Sequence, residues 1–361
     1  MSPPDRDGTC FDRGSPMLAS TRSAFLLLAL TASATAISAQ QPTPQLDPQR
    51  IALDVVVTPK SGAPVAGLQQ SDFTVLDNKT AQPIANFNAL GGSQAPVQLL
   101  LVIDAVNAPF RAISYERGQI DAFLRANGGH LPHPLSIAIF TDTGIQAEQG
   151  SSTDGNALAT SLDQATIGLR DIRRDSGFYG AEDRLSLSLN ALRALAARES
   201  ASPGRKLVLF VSPGWPILSG PEVDLDSKQQ QQIYADVMQI SGLFRRDHIT
   251  LYSVDPIGAA EGVGHMFYYE EFLKGVSKPS QAQIGNLAIQ VLAVQTGGLA
   301  LAGSNDISGL LGRCMADATA YYEISFPAPP SERPGEYHQL EIKVDKPGLI
   351  ARTRTGYYSQ P

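Results

Sequence analysis

The sequence is poor in cysteine, tryptophan, histidine and charge, and each shortage removes a class of protein. Among 361 residues there are two cysteines, Cys10 and Cys314, and one tryptophan, Trp215. Two cysteines cannot build the dense disulfide framework of a small secreted scaffold. The core alone must hold the fold, and a chain of this length can supply one. Charged residues make up 17% of the chain, the formal net charge is −7, and the lysines and arginines form no block. A nucleic-acid partner is therefore disfavoured, because phosphate backbones are gripped by a clustered basic face. The five histidines, His130, His133, His248, His265 and His338, are dispersed. The nearest pair, in "HLPH", has Pro132 between its members and reads as a surface turn, not a metal site. There is no glycine-rich phosphate loop. No apolar run approaches the ~20 residues that cross a bilayer as a helix.

What is present starts with a leader. After Arg22, "SAFLLLALTASATAISAQ" has a short apolar core followed by small residues. This is the pattern of a secretory signal peptide with cleavage after Ala39. Residues 1–39 are expected to be lost on export to the periplasm or the cell exterior, with Met1 or Met17 as the start. Cys10 leaves with them. The mature chain then keeps the single thiol of Cys314 and no stable membrane span. Cys314 lies in the helical pattern "GLLGRCMADA" and reads as a small buried apolar side chain. Residues 40–49, "QQPTPQLDPQ", form a Pro/Gln linker.

Residues 50–91 are β-rich. "IALDVVVTP", "DFTVLDN" and "QPIANFNAL" are separated by turn chemistry and predict three or four antiparallel strands. From Val97 the period changes. "VQLLLVID", "LSIAIFTD", "RKLVLFVS", "HITLYSVDP" and "LALAG" are apolar strands, with "IQAEQ" a possible further one, and helical patterns lie between them. In one helix Ile113, Ile120, Phe123 and Leu124 share a face; in another Leu185, Leu189, Leu192 and Ala196 form a stripe. A longer helix, "IGNLAIQVLAVQTGG", is stopped by glycine. Such alternation implies an α/β domain over residues 96–318, with a mostly parallel sheet flanked by helices. Ligands of open parallel sheets lie beyond the carboxyl ends of the strands. Asp104, Asp142, Ser212 and Asp255 fall there. β character returns over residues 319–361. Each end set alone has few strands, so the two are expected to combine as one β-sandwich beside the α/β domain.

The ordered segments resemble the VWFA-related domain family of exported bacterial proteins. The resemblance rests on "LDVVVTPKSGAPVAGLQQSDFTVLDN", "LLLVID", "GRKLVLFVSPGWP", "HITLYSVDP", "LAVQTGG", "YYEISFPAP" and "YHQLEIKVDKPGLIARTRTGYY", nearly the whole mature chain. It implies a Rossmann-like VWFA domain with a metal-ion-dependent adhesion site. That site is built from D-x-S-x-S, a distant threonine and an acid in a later D-G turn. Together they hold a hard divalent ion with one position open for a partner's carboxylate. Asp104 matches the first position, but Val106 and Ala108 stand at the serine positions and offer no side-chain oxygen. The loop "RDSGFYGAED" has Ser176 and no threonine, and Ser212 and Pro213 stand where the later acid belongs, ahead of Gly214. These are too few oxygens for such an ion. No cofactor is expected, and Asp104 is the vestigial position at which Mg²⁺ is the ion to test. Asp104 should then serve as a structural carboxylate that accepts backbone N–H bonds from the following loop or caps a helix.

Other chemistry is thin. "LVLFVSPGW" gives Ser212 half of a hydrolase elbow, with Phe210 where the first glycine belongs. Glu222, Asp224 and Asp226 lack the ligand series of a calcium loop and read as a solvated lead into a helix capped by Asp226 or Ser227. In "GVGHMFYYEEFLKG", Phe267, Tyr268 and Tyr269 leave a strand's carboxyl end, where aromatics either anchor a partner or pack back. The expectation is a non-enzymatic exported module, adhesive or scaffold-like, that binds a protein or peptide without a metal. Its face would comprise Asp104, Asn107, Asp142, Ser212, Trp215, Phe267, Tyr268 and Tyr269. The alternatives are a secreted hydrolase with a spatially assembled site and a structural component of an envelope assembly.

Overall fold

The first strands are β1 (Arg50–Pro59), β2 (Phe73–Asp77), β3 (Thr80–Gln82) and β4 (Asn86–Gly91). Only β2 and β3 pair with one another, across a tight turn in which Asn78 and Lys79 both take positive φ. That turn twists with the strands it joins. The structure, a computed structural model, describes residues 50–92, 97–108, 110–147, 150–164, 177–215, 225–256, 276–282, 287–331 and 333–359. The expected leader and linker lie outside these residues, as does Ser176.

In the middle of the chain come β5 (Val97–Asp104), α1 (Phe110–Arg125), β6 (His130–Thr141), β7 (Gly144–Ala147), β8 (Ser152–Asp154), α2 (Gly155–Gln164) and α3 (Gly177–Glu199). They are followed by β9 (Arg205–Val211), α4 (Ser227–Arg246), β10 (Ile249–Val254), α5 (Ile289–Gln295), β11 (Ala300–Leu301) and α6 (Ile307–Ala316). Strands β11, β10, β9, β5 and β6 stand side by side and parallel, and β7 and β8 add to β6 antiparallel. The protein is thus mixed α/β, with a mostly parallel sheet flanked by helices. Strand parity sorts the two faces. On β5, Leu100 and Val102 join the core of α3, α4 and α5; Leu99, Leu101 and Ile103 join that of α1, α2 and α6. Each such buried side chain contributes about 1.5–3 kcal/mol.

Two local expectations are corrected. "HLPH" is not a surface turn, because β6 already begins at His130. The pairing of β6 with β8 shifts register between His130 and Leu135, and Pro132 and Pro134 fall inside that irregular stretch, where a missing N–H is tolerated. Nor is "IGNLAIQVLAVQ" one long helix: α5 starts only after Ala288, which has extended ψ.

The last strands are β12 (Ala320–Pro327), β13 (Tyr337–Val344), β14 (Leu349–Arg352) and β15 (Gly356–Tyr358). Two antiparallel sheets result, ordered β14-β1-β12-β4 and β15-β13-β2-β3. Strands from both ends of the chain therefore lie in each sheet. Alternation along the strands aims Leu53, Val55, Phe73, Val75, Ile324 and Ile342 into one shared core.

The sandwich meets the α/β sheet at the amino ends of the parallel strands. Arg205, first in β9, is buried, stacks 4.8 Å from the Tyr321 ring centroid and donates to the Asp317 carbonyl at 3.0 Å. The Asp317 carboxylate accepts from the Tyr252 hydroxyl at 2.7 Å and from Arg352. His248 faces both oxygens of Asp54 at 3.4 Å, and Thr353 donates to the Asp54 carbonyl at 2.8 Å. These contacts of the sandwich, among the described residues, all lie at the amino ends of the strands. Among the described residues no helix is long and apolar enough to cross a membrane.

Candidate functional site

The site grows from the end of β5. Asp104 follows seven residues of strand and turns the chain: its Oδ1 accepts from the backbone N–H groups of Val106 and Asn107, each at 2.9 Å. Aspartate favours such turns because its short side chain reaches the amides just ahead. Its Oδ2 accepts from Asn107 Nδ2 at 2.8 Å and from Ser212 Oγ at 2.6 Å. A carboxylate offers about four lone-pair sites, and four protein donors fill them here.

Each donor is itself held. Ser212 follows β9, and its amide donates to the Val254 carbonyl at 2.9 Å. Its hydroxyl also accepts from Gly214 N at 3.1 Å. Gly214 has φ +91°, a conformation that favours glycine, and a Cβ there would press on the end of the flexible Gln290 side chain at 2.8 Å. Asn107 Nδ2 also donates to Ser188 Oγ on α3 at 3.1 Å, and Ser188 donates to the Arg184 carbonyl at 2.8 Å. One amide nitrogen thus bridges the Asp104 carboxylate and a hydroxyl on another element.

Burial pushes the Asp104 carboxyl above the ordinary carboxylate range, against the bonds from Ser212, Asn107 and Val106 that pull it down. Burial also holds Glu116, on α1, well above that range, and the charges of Asp104 and Asp255 push the same way. The thiol of Cys314 is raised by burial too, which suits a packing residue and not a nucleophile.

The expected binding face is only partly a surface. Asp104 and Ser212 are 0% exposed and Trp215 is 6% exposed, so none of the three can touch a partner directly. The reason is packing. Trp215 belongs to the core beneath α3, α4 and α5, and the Asp104–Ser212 bond is internal. Val106 and Ala108 also point inward. Asn107 and Asp142 are half-buried and reach the surface. Phe267, Tyr268 and Tyr269 lie outside the described residues, as do Glu222 and Asp224. Asp226 caps α4 by accepting from Gln229 N at 2.8 Å. The other partners of Ser212 are Asp104 and Gly214, while His248 and His338 pair with Asp54 and Asp77 in the sandwich. A Ser–His arrangement is therefore absent among the described residues. No group of three or more His, Cys, Asp or Glu among them could hold a metal ion.

Two functional positions escape sequence reasoning. Ser188 sits among the alternating serines of "LSLSLN", which do not show which one faces β5. Glu116 carries a readable signal, because it falls one turn before Ile120 on the apolar stripe of α1.

No family model matches the chain, and no curated protein matches it. Among solved structures, it is similar to the human COPII-coat protein Sec24c at 8% identity, over 75% of this chain and 44% of that one, with a TM-score of 0.31. It is also similar to the pilus adhesin SpaC from Lactobacillus rhamnosus GG at 8% identity, over 82% of this chain and 43% of that one, with a TM-score of 0.32. The chain spans less than half the length of either. Neither likeness bears on function.

Proposed function

We propose that this chain is an exported, non-enzymatic binding protein of VWFA type. In this reading its adhesion-site loop is set without a metal, and the rim at the carboxyl ends of the strands receives a protein or peptide. The observation that carries the reading is the Asn107 side chain. Its amide nitrogen stands between Asp104 and Ser188, bridging a carboxylate and a hydroxyl as a shared cation would. A hard cation needs free oxygen lone pairs, and those of Asp104 are engaged. Recognition then falls to direct contact by Asn107 and Asp142, with Phe267 to Tyr269 as further candidates. The segment order that resembles VWFA-related proteins and the leader before Ala39 support export and family type.

Thermal melts of the purified protein with Mg²⁺, Mn²⁺ or EDTA test the metal-free loop. The expected outcome is no saturable shift in Tm. A saturable rise that Asp104→Asn removes overturns it. Affinity capture from the native exported fraction tests the rim. Capture should survive EDTA and weaken with Asp142→Lys; loss of all capture in EDTA sinks the reading. Edman sequencing of the exported chain should begin at Gln40.

A further inference from the structure

Glu116 occupies a position on α1 where the pattern asks for an apolar residue. Ile120, Phe123 and Leu124 are buried on the inner stripe of the helix, and Glu116 is buried with them at 0% exposure. Neither of its carboxylate oxygens has a hydrogen-bond partner among the described residues. The charged groups that face it are Asp104 at the end of β5 and Asp255 just past β10, both acids and both buried. Neighbouring charges on the packed helices look elsewhere. Arg117 donates to the Leu162 carbonyl at the end of α2, and Arg125 pairs with Asp121 and Asp163. Asp306 turns back on α6 to accept from Gly309 N, and Arg313 is exposed.

The charges of two acids therefore bear on Glu116, and no cation faces it among the described residues. An ionised carboxylate in such a place is strongly disfavoured, and the group keeps its proton instead. Tyr115 is 45% exposed and donates its hydroxyl to the Asn305 carbonyl at 2.6 Å.

We infer that the first half of α1 is a proton-dependent latch on the carboxyl-end rim, seated while Glu116 is neutral and released when Glu116 ionises. Residues 105–109 join β5 directly to α1, so release would also loosen the loop that Asp104 shapes. The direction follows from linkage. The seated state holds Glu116 well above 4.5 through burial and the charges of Asp104 and Asp255. Seating is complete below pH 4.5, weakens as pH climbs toward the raised value, and levels off above it. The inference depends neither on the identity of a partner nor on the metal-free loop.

Hydrogen exchange read by mass spectrometry on the full chain between pH 5 and 9 tests it, with rates corrected for intrinsic pH dependence. In the wild type, the open fraction of peptides covering residues 105–118 should rise about tenfold per pH unit until the raised value is passed. Glu116→Gln should flatten that profile and slow exchange at neutral pH. Asp255→Asn should shrink the rise, because one of the two repelling acids is gone. A flat wild-type profile overturns the latch whatever the variants do. A slope that persists in Glu116→Gln, or in Glu116→Met if the amide fails to fold, overturns it equally.

Discussion

The amino and carboxyl ends of the same parallel strands bury charge in opposite ways. At the amino ends, where the sandwich docks, Arg352 meets the Asp317 carboxylate and His248 meets Asp54, whose carboxyl the charge of Arg205 also lowers, so acids face cations. At the carboxyl ends no cation faces Asp104 or Glu116 among the described residues, and burial raises both carboxyls. There the stabilising partners of Asp104 are neutral: two backbone amides, a side-chain amide and a hydroxyl. Opposed charges weld two parts into one rigid frame. Neutral donors can fix a loop while leaving its negative charge in place. One edge is an internal joint, and at the other a loop is set by neutral donors.

Substitutions can break or sharpen this contrast. The largest effect should come from Asp104→Ala. It strands four donors at once and should lower unfolding stability in urea by about 4 kcal/mol, since each buried unmet donor costs about 1–3 kcal/mol and relaxation recovers part. A loss under about 1 kcal/mol would mean that the loop does not depend on the carboxylate. At the other edge, Asp317→Ala leaves Arg352 and the Tyr252 hydroxyl without their acceptor and should cost about 3 kcal/mol. If Asp317→Asn cost as much, charge would not be what welds that joint. Gly214→Ala should cost about 1–2 kcal/mol, through its positive φ and the Gln290 contact. Its loss should add to that of Asp317→Ala, because the two sit at opposite edges.

The smallest effect concerns pH. The Asp54 charge raises His248 above 6.5, against burial. A raised histidine contributes stability that is complete below pH 6.5 and fades as pH rises through its shifted value. Urea midpoints measured from pH 6 to 9 should therefore decline more in the wild type than in His248→Gln. Equal declines would detach this pair from the joint.

Much of the architecture was legible because strand and helix periods differ. Leu100 and Val102 against Leu99, Leu101 and Ile103 announce a strand covered on both sides. Leu185, Leu189 and Leu192 announce the helix that covers one of them. What stayed hidden is pairing between distant segments. Nothing in "IALDVVVTP" names β12 and β14 as its neighbours, and nothing in "LSLSLN" names Asn107 as the partner of Ser188. At the rim, the sequence shows an acid at the end of an apolar strand, with Val106 and Ala108 offering no side-chain oxygen beyond it. That Asn107 spans the gap, and that Trp215 turns inward, depend on tertiary packing. Glu116 is visible only as a break in the apolar stripe of α1.

The composite sandwich also sets an order of assembly. The bond from Leu68 N to the Tyr322 hydroxyl closes across 254 positions, and that from Thr353 to the Asp54 carbonyl across 299. Contacts so remote in sequence form slowly, because the chain between them must be gathered first. The strand–helix units of the α/β part pair over much shorter spans and would gather it. Synthesised amino end first, β1 must wait for β12 and β14 before it has a neighbour on either side. The last strands therefore set the pace at which the first become safe from aggregation.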